Sequence, residues 1–179
     1  MFRDELLNLL PHDEDARRLH KQTMTLAEFL MRRVGEGARI PSLRRKAIVH
    51  THCHHKAVMN ATAVEEVLKT MSVDYKTLDS GCCGMAGAFG FERDKYQVSV
   101  AIGERVLLPA VRSADANTII VGDGFSCREQ IAQCTDRRGL HLAEVVQLAL
   151  HPEALEGDVR PERAVMSLAP APLRVAERR

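Results

Sequence analysis

The chain has 179 residues, enough for one domain with a core of its own. Its 25 basic and 24 acidic side chains give a net charge of +1, and aromatics make up 4% with no Trp; both facts argue against nucleic acid as the main partner. No apolar run approaches the ~20 residues that span a bilayer, and "MFRDELLNLLPHDEDARR" carries acids where a secretion signal carries bases. The expected location is cytoplasmic, with any contact to the inner membrane made through partners.

Residues 3–10 read as a short helix ending at Pro11. Asp13 suits an N-cap for a long amphipathic helix, "EDARRLHKQTMTLAEFLMRRV", in which Leu19, Leu26, Leu30 and Val34 keep helical spacing and face the core. Gly35 and Gly37 end it, and "GEGARIPSLRR" is a loop. The rhythm then changes. "KAIVHTH" reads as a strand, "KAVMNATAVEEVLKTM" as a helix and "VDYKTLD" as a second strand. After the glycine-rich "DSGCCGMAGAFG", the stretch "ERDKYQVSVAIGERVLLPAVRSA" reads as a long helix bent near Pro109. "NTIIVGD" is a third strand, apolar enough to be buried on both faces. "SCREQIAQC" opens a helix with Ser126 as N-cap, and "HLAEVVQLAL" is the last helix, capped or packed by His141. From Pro152 onward no period is sustained, which predicts a mobile tail.

Three alternations of strand and helix predict an α/β fold: a small three-layer domain with a short parallel sheet of about three strands flanked by helices, preceded by a helical N-terminal segment.

Five cysteines, an odd number in a chain read as cytoplasmic, speak against a disulfide framework. Cys53 follows the first strand, Cys82 and Cys83 the second, and Cys127 the third. In an open parallel sheet the loops after the carboxyl ends of the strands share one edge, where ligands bind. Four thiols are thus expected at one rim. Soft thiolates select zinc, copper(I) or iron–sulfur clusters. The glycines of the "DSGCCG" turn let two adjacent ligands share a bend and let backbone N–H groups approach them closely.

"HTHCHHKA", "LDSGCCGMAGAFG", "GDGFSCREQI" and "HLAEVV", in that order, resemble the CCG or cysteine-rich domain. That domain occurs in heterodisulfide reductase, in the glycolate oxidase iron–sulfur subunit and in anaerobic glycerol-3-phosphate dehydrogenase. The wording is most similar to the C-terminal end of FAD-linked oxidases of the D-lactate and glycolate type. The resemblance implies an electron-transfer domain holding a [4Fe-4S] cluster, with Cys53, Cys82, Cys83 and Cys127 as ligands, backed by the loop backbone at Gly81, Gly84 and Gly124. Gly124 stands where the family's final Cys-x-x-Cys has its first cysteine. FAD is implied only on a missing domain or partner, beside a ferredoxin-like iron–sulfur module. Residues 1–37 then form a remnant linking to a missing upstream module, 38–151 the cysteine-rich domain and 152–179 the tail. Catalysis by the chain alone is not expected.

Among His50, His52, His54 and His55, which crowd Cys53, either His52 or His54 is the favoured candidate to ligate or hydrogen-bond a cluster sulfur. The same cluster of histidines keeps zinc open as the alternative metal in a structural or interaction module. A metal-free remnant and thiol redox chemistry at Cys82 and Cys83 are the remaining alternatives. Cys134, about two helical turns from Cys127, reads as a buried apolar residue.

Overall fold

The computed structural model describes residues 1–59, 62–157 and 159–168. Its centre is a three-stranded parallel sheet of β1 (Lys46–Val49), β2 (Asp74–Thr77) and β3 (Ile119–Val121), in the order β2-β1-β3. Ala47 pairs with Tyr75 on one side and with Ile119 on the other. β3 is buried along its whole length, as its apolar run predicts. Beyond β3 the chain at Leu140 closes the sheet: Leu140 N–H donates to Ile120 O at 2.7 Å, and Gly122 N–H donates to Leu140 O at 2.9 Å.

Strand alternation divides the interior into two cores. Ala47, Val49, Ile119 and Val121 face a larger core with Leu68 and Met71. Helices α3 (Leu26–Gly35), α5 (Thr62–Thr70) and α9 (Leu142–Leu150) cover that face. On the opposite face Ile48 and Ile120 meet Met85 with residues of α7 (Leu107–Ser113) and α8 (Phe125–Cys134). The smaller core also contains Cys83 and Cys127. The expected α/β, three-layer architecture is therefore present.

Several helices are shorter than their sequence pattern predicts. The long N-terminal helix is two, α2 (Glu14–Gln22) and α3, because Thr25 caps α3 reciprocally with Glu28. Thr25 Oγ1 accepts from Glu28 N–H at 3.2 Å, and Glu28 Oε2 accepts from Thr25 N–H at 2.7 Å. Partial burial pushes the Glu28 carboxyl up, but the Thr25 hydrogen bonds and the Arg3 guanidinium outweigh it and hold it below its ordinary range. The break also rotates the apolar stripe. Leu19 is 42% and Leu26 36% exposed, while Ala16 and Ala27 are the residues these two helices bury. A preceding turn, α1 (Leu6–Leu9), lies before Pro11 as expected.

The helix expected from Lys56 starts earlier, as α4 (Cys53–Val58), and Met59 leaves it in extended backbone before α5 begins at Thr62. The helix expected to bend at Pro109 is α6 (Tyr96–Gly103) followed by α7. Pro109 is the third residue of α7, where a helix has no N–H partner to lose. α8 begins at Phe125 with Gly124 in the cap position, so Ser126 lies inside it rather than capping it. His141 caps α9, its Nδ1 accepting from Ala143 N–H at 3.1 Å.

The stretch from Pro152 is not a featureless tail. It carries a 3-10 turn (Pro152–Leu155) and α10 (Pro161–Leu168), which packs Ala164 and Val165 into the larger core. The cause is long-range. Arg137, almost fully buried, donates from Nε to Glu162 Oε1 at 2.7 Å and from Nη2 to Thr118 O at 2.7 Å. The part of the expected tail beyond residue 168 lies outside the described residues.

Candidate metal centre

Each strand ends at the same edge and hands the chain to a loop that carries sulfur. After β1, His50 N–H still donates to Val121 O at 2.9 Å, so His50 is fixed at the strand end and 2% exposed. Thr51 and His52 follow, and Cys53 is the first residue of α4. After β2, Leu78 N–H donates to Val49 O at 2.9 Å, and the chain enters the Asp79–Gly84 turn. After β3, Asp123 and Gly124 lead into α8, placing Cys127 in its first turn and fully buried. Arg128 Nη1 steadies that loop by donating to Gly122 O and Asp123 O.

A ring nitrogen of His50 and the sulfurs of Cys83 and Cys127 all lie within 4.8 Å of one another. The Cys127 thiol hydrogen-bonds Cys83; this contact, the nearby His50 imidazole and the Met85 N–H outweigh burial and lower Cys83 to about 4. Cys127 moves the other way, pushed far up by its hydrogen bond to Cys83 and by burial. The two buried sulfurs titrate as one coupled pair, with Cys83 moved down and Cys127 moved up.

The other two thiols sit outside this buried group. Cys53 is exposed and Cys82 half-buried. Burial raises the Cys82 thiol, and a hydrogen bond with Cys53 and the Cys53 and Cys83 charges raise it further; only the Gly84 N–H, 3.3 Å from its sulfur, works against this. Both Cys53 and Cys82 also act electrostatically on Cys127, so all four thiols form one interacting set. A cleft of about 470 Å³ opens beside Cys82, lined by residues that include Asp79, Ser80, Gly81, Ile102 and Arg105.

Gly84 makes the turn feasible. Its φ is +98°, and a Cβ there would stand 2.0 Å from Ser99 O. Ser99 cannot retreat, because Gln130 Nε2 donates to its carbonyl at 3.1 Å and both residues are buried. Gly81, at φ +62°, opens the turn on the solvent side. At Gly124 the φ is ordinary and space decides: a Cβ would lie 2.7 Å from His52 Cδ2 and 2.9 Å from Cys127 Sγ. The His52 ring therefore occupies the room that any side chain at position 124 would need.

The histidines separate clearly. His54 is exposed and not among the converging donors, its Nε2 3.3 Å from Asp4 Oδ2. His52 is half-buried against Gly124, and burial lowers its imidazole first of all. The imidazole that joins the two buried sulfurs is His50, which the sequence pattern alone does not single out. The available signal is that His50 is the first residue after a buried β-run, at the carboxyl edge, and shares a strand face with His52.

The donor set suits a soft metal group: thiolates with an imidazole beside them, and backbone N–H groups turned toward sulfur. His50 Nε2 is buried with no hydrogen-bond partner among the described residues; leaving a buried polar atom so costs about 1–3 kcal/mol. A metal at this place would satisfy it.

No known family profile matches the sequence. Individual relatives do. The chain is 32% identical over 152 residues to an anaerobic glycerol-3-phosphate dehydrogenase subunit of Escherichia coli strain K12, covering 83% of this chain and 37% of that one. It is 31% identical over 97 residues to D-2-hydroxyglutarate dehydrogenase of Pseudomonas putida, covering 53% of this chain and 9% of the relative. It is 27% identical over 149 residues to lactate utilization protein A 2 of Bacillus cereus strain 03BB102, covering 77% and 59% respectively. The chain spans 37% of the length of the glycerol-3-phosphate dehydrogenase subunit, so its likeness is to part of a larger protein. With its cysteine and histidine group able to hold a metal, it is similar to portions of dehydrogenase and lactate-utilization proteins.

Proposed function

We propose that the chain is a CCG-type electron-transfer domain of an FAD-linked oxidoreductase acting on a 2-hydroxy acid of the glycolate or D-lactate kind. Its residues Cys53, Cys82, Cys83 and Cys127 hold a [4Fe-4S] cluster, with Gly81, Gly84 and Gly124 giving the backbone room around it. The observation that carries this reading is the buried group of His50, Cys83 and Cys127 within 4.8 Å of one another, with Cys82 beside it in the same turn and Cys53 opening α4 at the same edge. The names of two relatives, a D-2-hydroxyglutarate dehydrogenase and a lactate-utilization protein, support the link to hydroxy-acid oxidation, and the third, a glycerol-3-phosphate dehydrogenase subunit, supports the link to a dehydrogenase.

A bound cluster would supply one-electron transfer at this rim. The protein residues do the rest. Cys83 and Cys127 close the inner side against water, and the Gly84 and Met85 N–H groups stabilise negative charge on sulfur. Cys82 and its cleft leave an approach for a partner. FAD and the ferredoxin-like module belong to a partner domain or polypeptide, and the assembly works in the cytoplasm. No helix among the described residues is long and apolar enough to cross a membrane.

Anaerobic purification with iron and acid-labile sulfide analysis and EPR tests the reading. About four irons per chain and a reducible EPR signal are expected. Colourless, iron-free protein after reconstitution would overturn it. Zinc is the second reading, because three donors within 4.8 Å also suit one small ion. Stoichiometric zinc with chelator-induced unfolding would decide for it.

A further inference from the structure

We propose that His50 is itself a ligand of the metal centre, so that its inner side consists of one imidazole and two thiolates. The inference rests on the metal-centre reading above and adds a ligand which that reading does not contain. Three observations converge on it. His50 is 2% exposed and has a ring nitrogen within 4.8 Å of both buried sulfurs. Its Nδ1 lies 2.6 Å from Ser80 Oγ, and its Nε2 has no hydrogen-bond partner among the described residues. Its backbone N–H is locked to Val121 O, so the ring is carried on the sheet rather than on a loop.

This is the arrangement that a ligating histidine needs. One ring nitrogen is engaged by a neighbour, which sets the tautomer and the ring angle, and the other presents its lone pair. In the tautomer that donates Nδ1–H to Ser80 Oγ, the lone pair falls on Nε2. Ser80 belongs to the same turn as Cys82 and Cys83, so one loop both supplies sulfur and orients the imidazole. The other histidines lack the combination. His52 packs on Gly124 and His54 meets Asp4. His55 Nε2 is also unpartnered, but His55 is not among the converging donors. The imidazole adds a ligand without adding negative charge, so a bound cluster is easier to reduce than it would be with a thiolate at position 50.

The test uses the full chain reconstituted with iron and sulfide, reduced and studied by pulsed EPR. A strong nitrogen hyperfine coupling is expected, lost in His50→Cys with iron content retained, and kept in His52→Gln and His55→Gln. The reduction potential of His50→Cys moves downward. An iron-loaded protein without nitrogen coupling, or with a coupling unchanged in His50→Cys, overturns the inference and leaves the cluster reading standing. Should His50→Cys not fold, Ser80→Ala carries the test: the coupling changes at constant iron content, and an unchanged coupling counts against the inference. If no iron is taken up, cobalt(II) alone serves as probe. A contact-shifted imidazole N–H from His50 then supports the inference while the cluster reading fails, and its absence overturns both.

Discussion

The two halves of the thiol rim are built differently. Cys83 and Cys127 belong to the smaller core, are 2% and 0% exposed, and lie within 4.8 Å of each other and of a buried imidazole. Cys53 and Cys82 stand at the solvent side, one exposed and one half-buried. The inner half is fixed by packing against the sheet and by α6 and α8. The outer half is fixed only by a short helix start and a glycine turn. Ligand geometry is therefore set by the inner half, and access by the outer.

The largest break in this contrast comes from Gly84→Ala. The new methyl would meet the Ser99 carbonyl at a left-handed backbone position, so the turn has to move and carry Cys83 with it. The expected loss is about 3 kcal/mol or more, with metal uptake abolished; denaturant melts and metal analysis on the same sample check it. Unaltered stability would show that the turn is looser than its packing indicates.

Next in size is the difference between the halves themselves. Cys83→Ser should abolish metal retention on desalting, whereas Cys53→Ser should leave a measurable fraction bound. Equal losses in the two variants would mean that the halves are not distinct. The smallest effect on the site should come from Glu162→Gln, on α10. Leaving Arg137 buried without its carboxylate costs about 3 kcal/mol, a fall in Tm of roughly 6–12 °C. Metal content per chain should not change, and a change would tie α10 to the rim.

How far the sequence carries can be seen in particular residues. The three strands and the placement of sulfur after each were legible, because a buried strand between turn residues is a local pattern. The break before α3 was missed: Thr25 followed three residues later by Glu28 is a capping signal, but helical periodicity across it masked the cap. α10 was not legible. Its place depends on an ion pair between residues 137 and 162, and no local period encodes that partner. The choice of His50 over His52 or His54 escaped for the same reason. Strand spacing puts His50 and His52 on one face, but only pairing with Val121 makes His50 the buried one.

The register of the sheet also has a consequence in time. β1 meets β3 by setting Ala47 opposite Ile119, and the buried donors come from positions 50, 83 and 127. Pairings between segments so far apart in the chain form late, since the long loops must close first. A metal ion meeting the newly made chain would find only the two neighbouring thiols of one turn. The full set of donors comes into being when the sheet closes, so loading belongs after folding, through the side where Cys53 and Cys82 meet water.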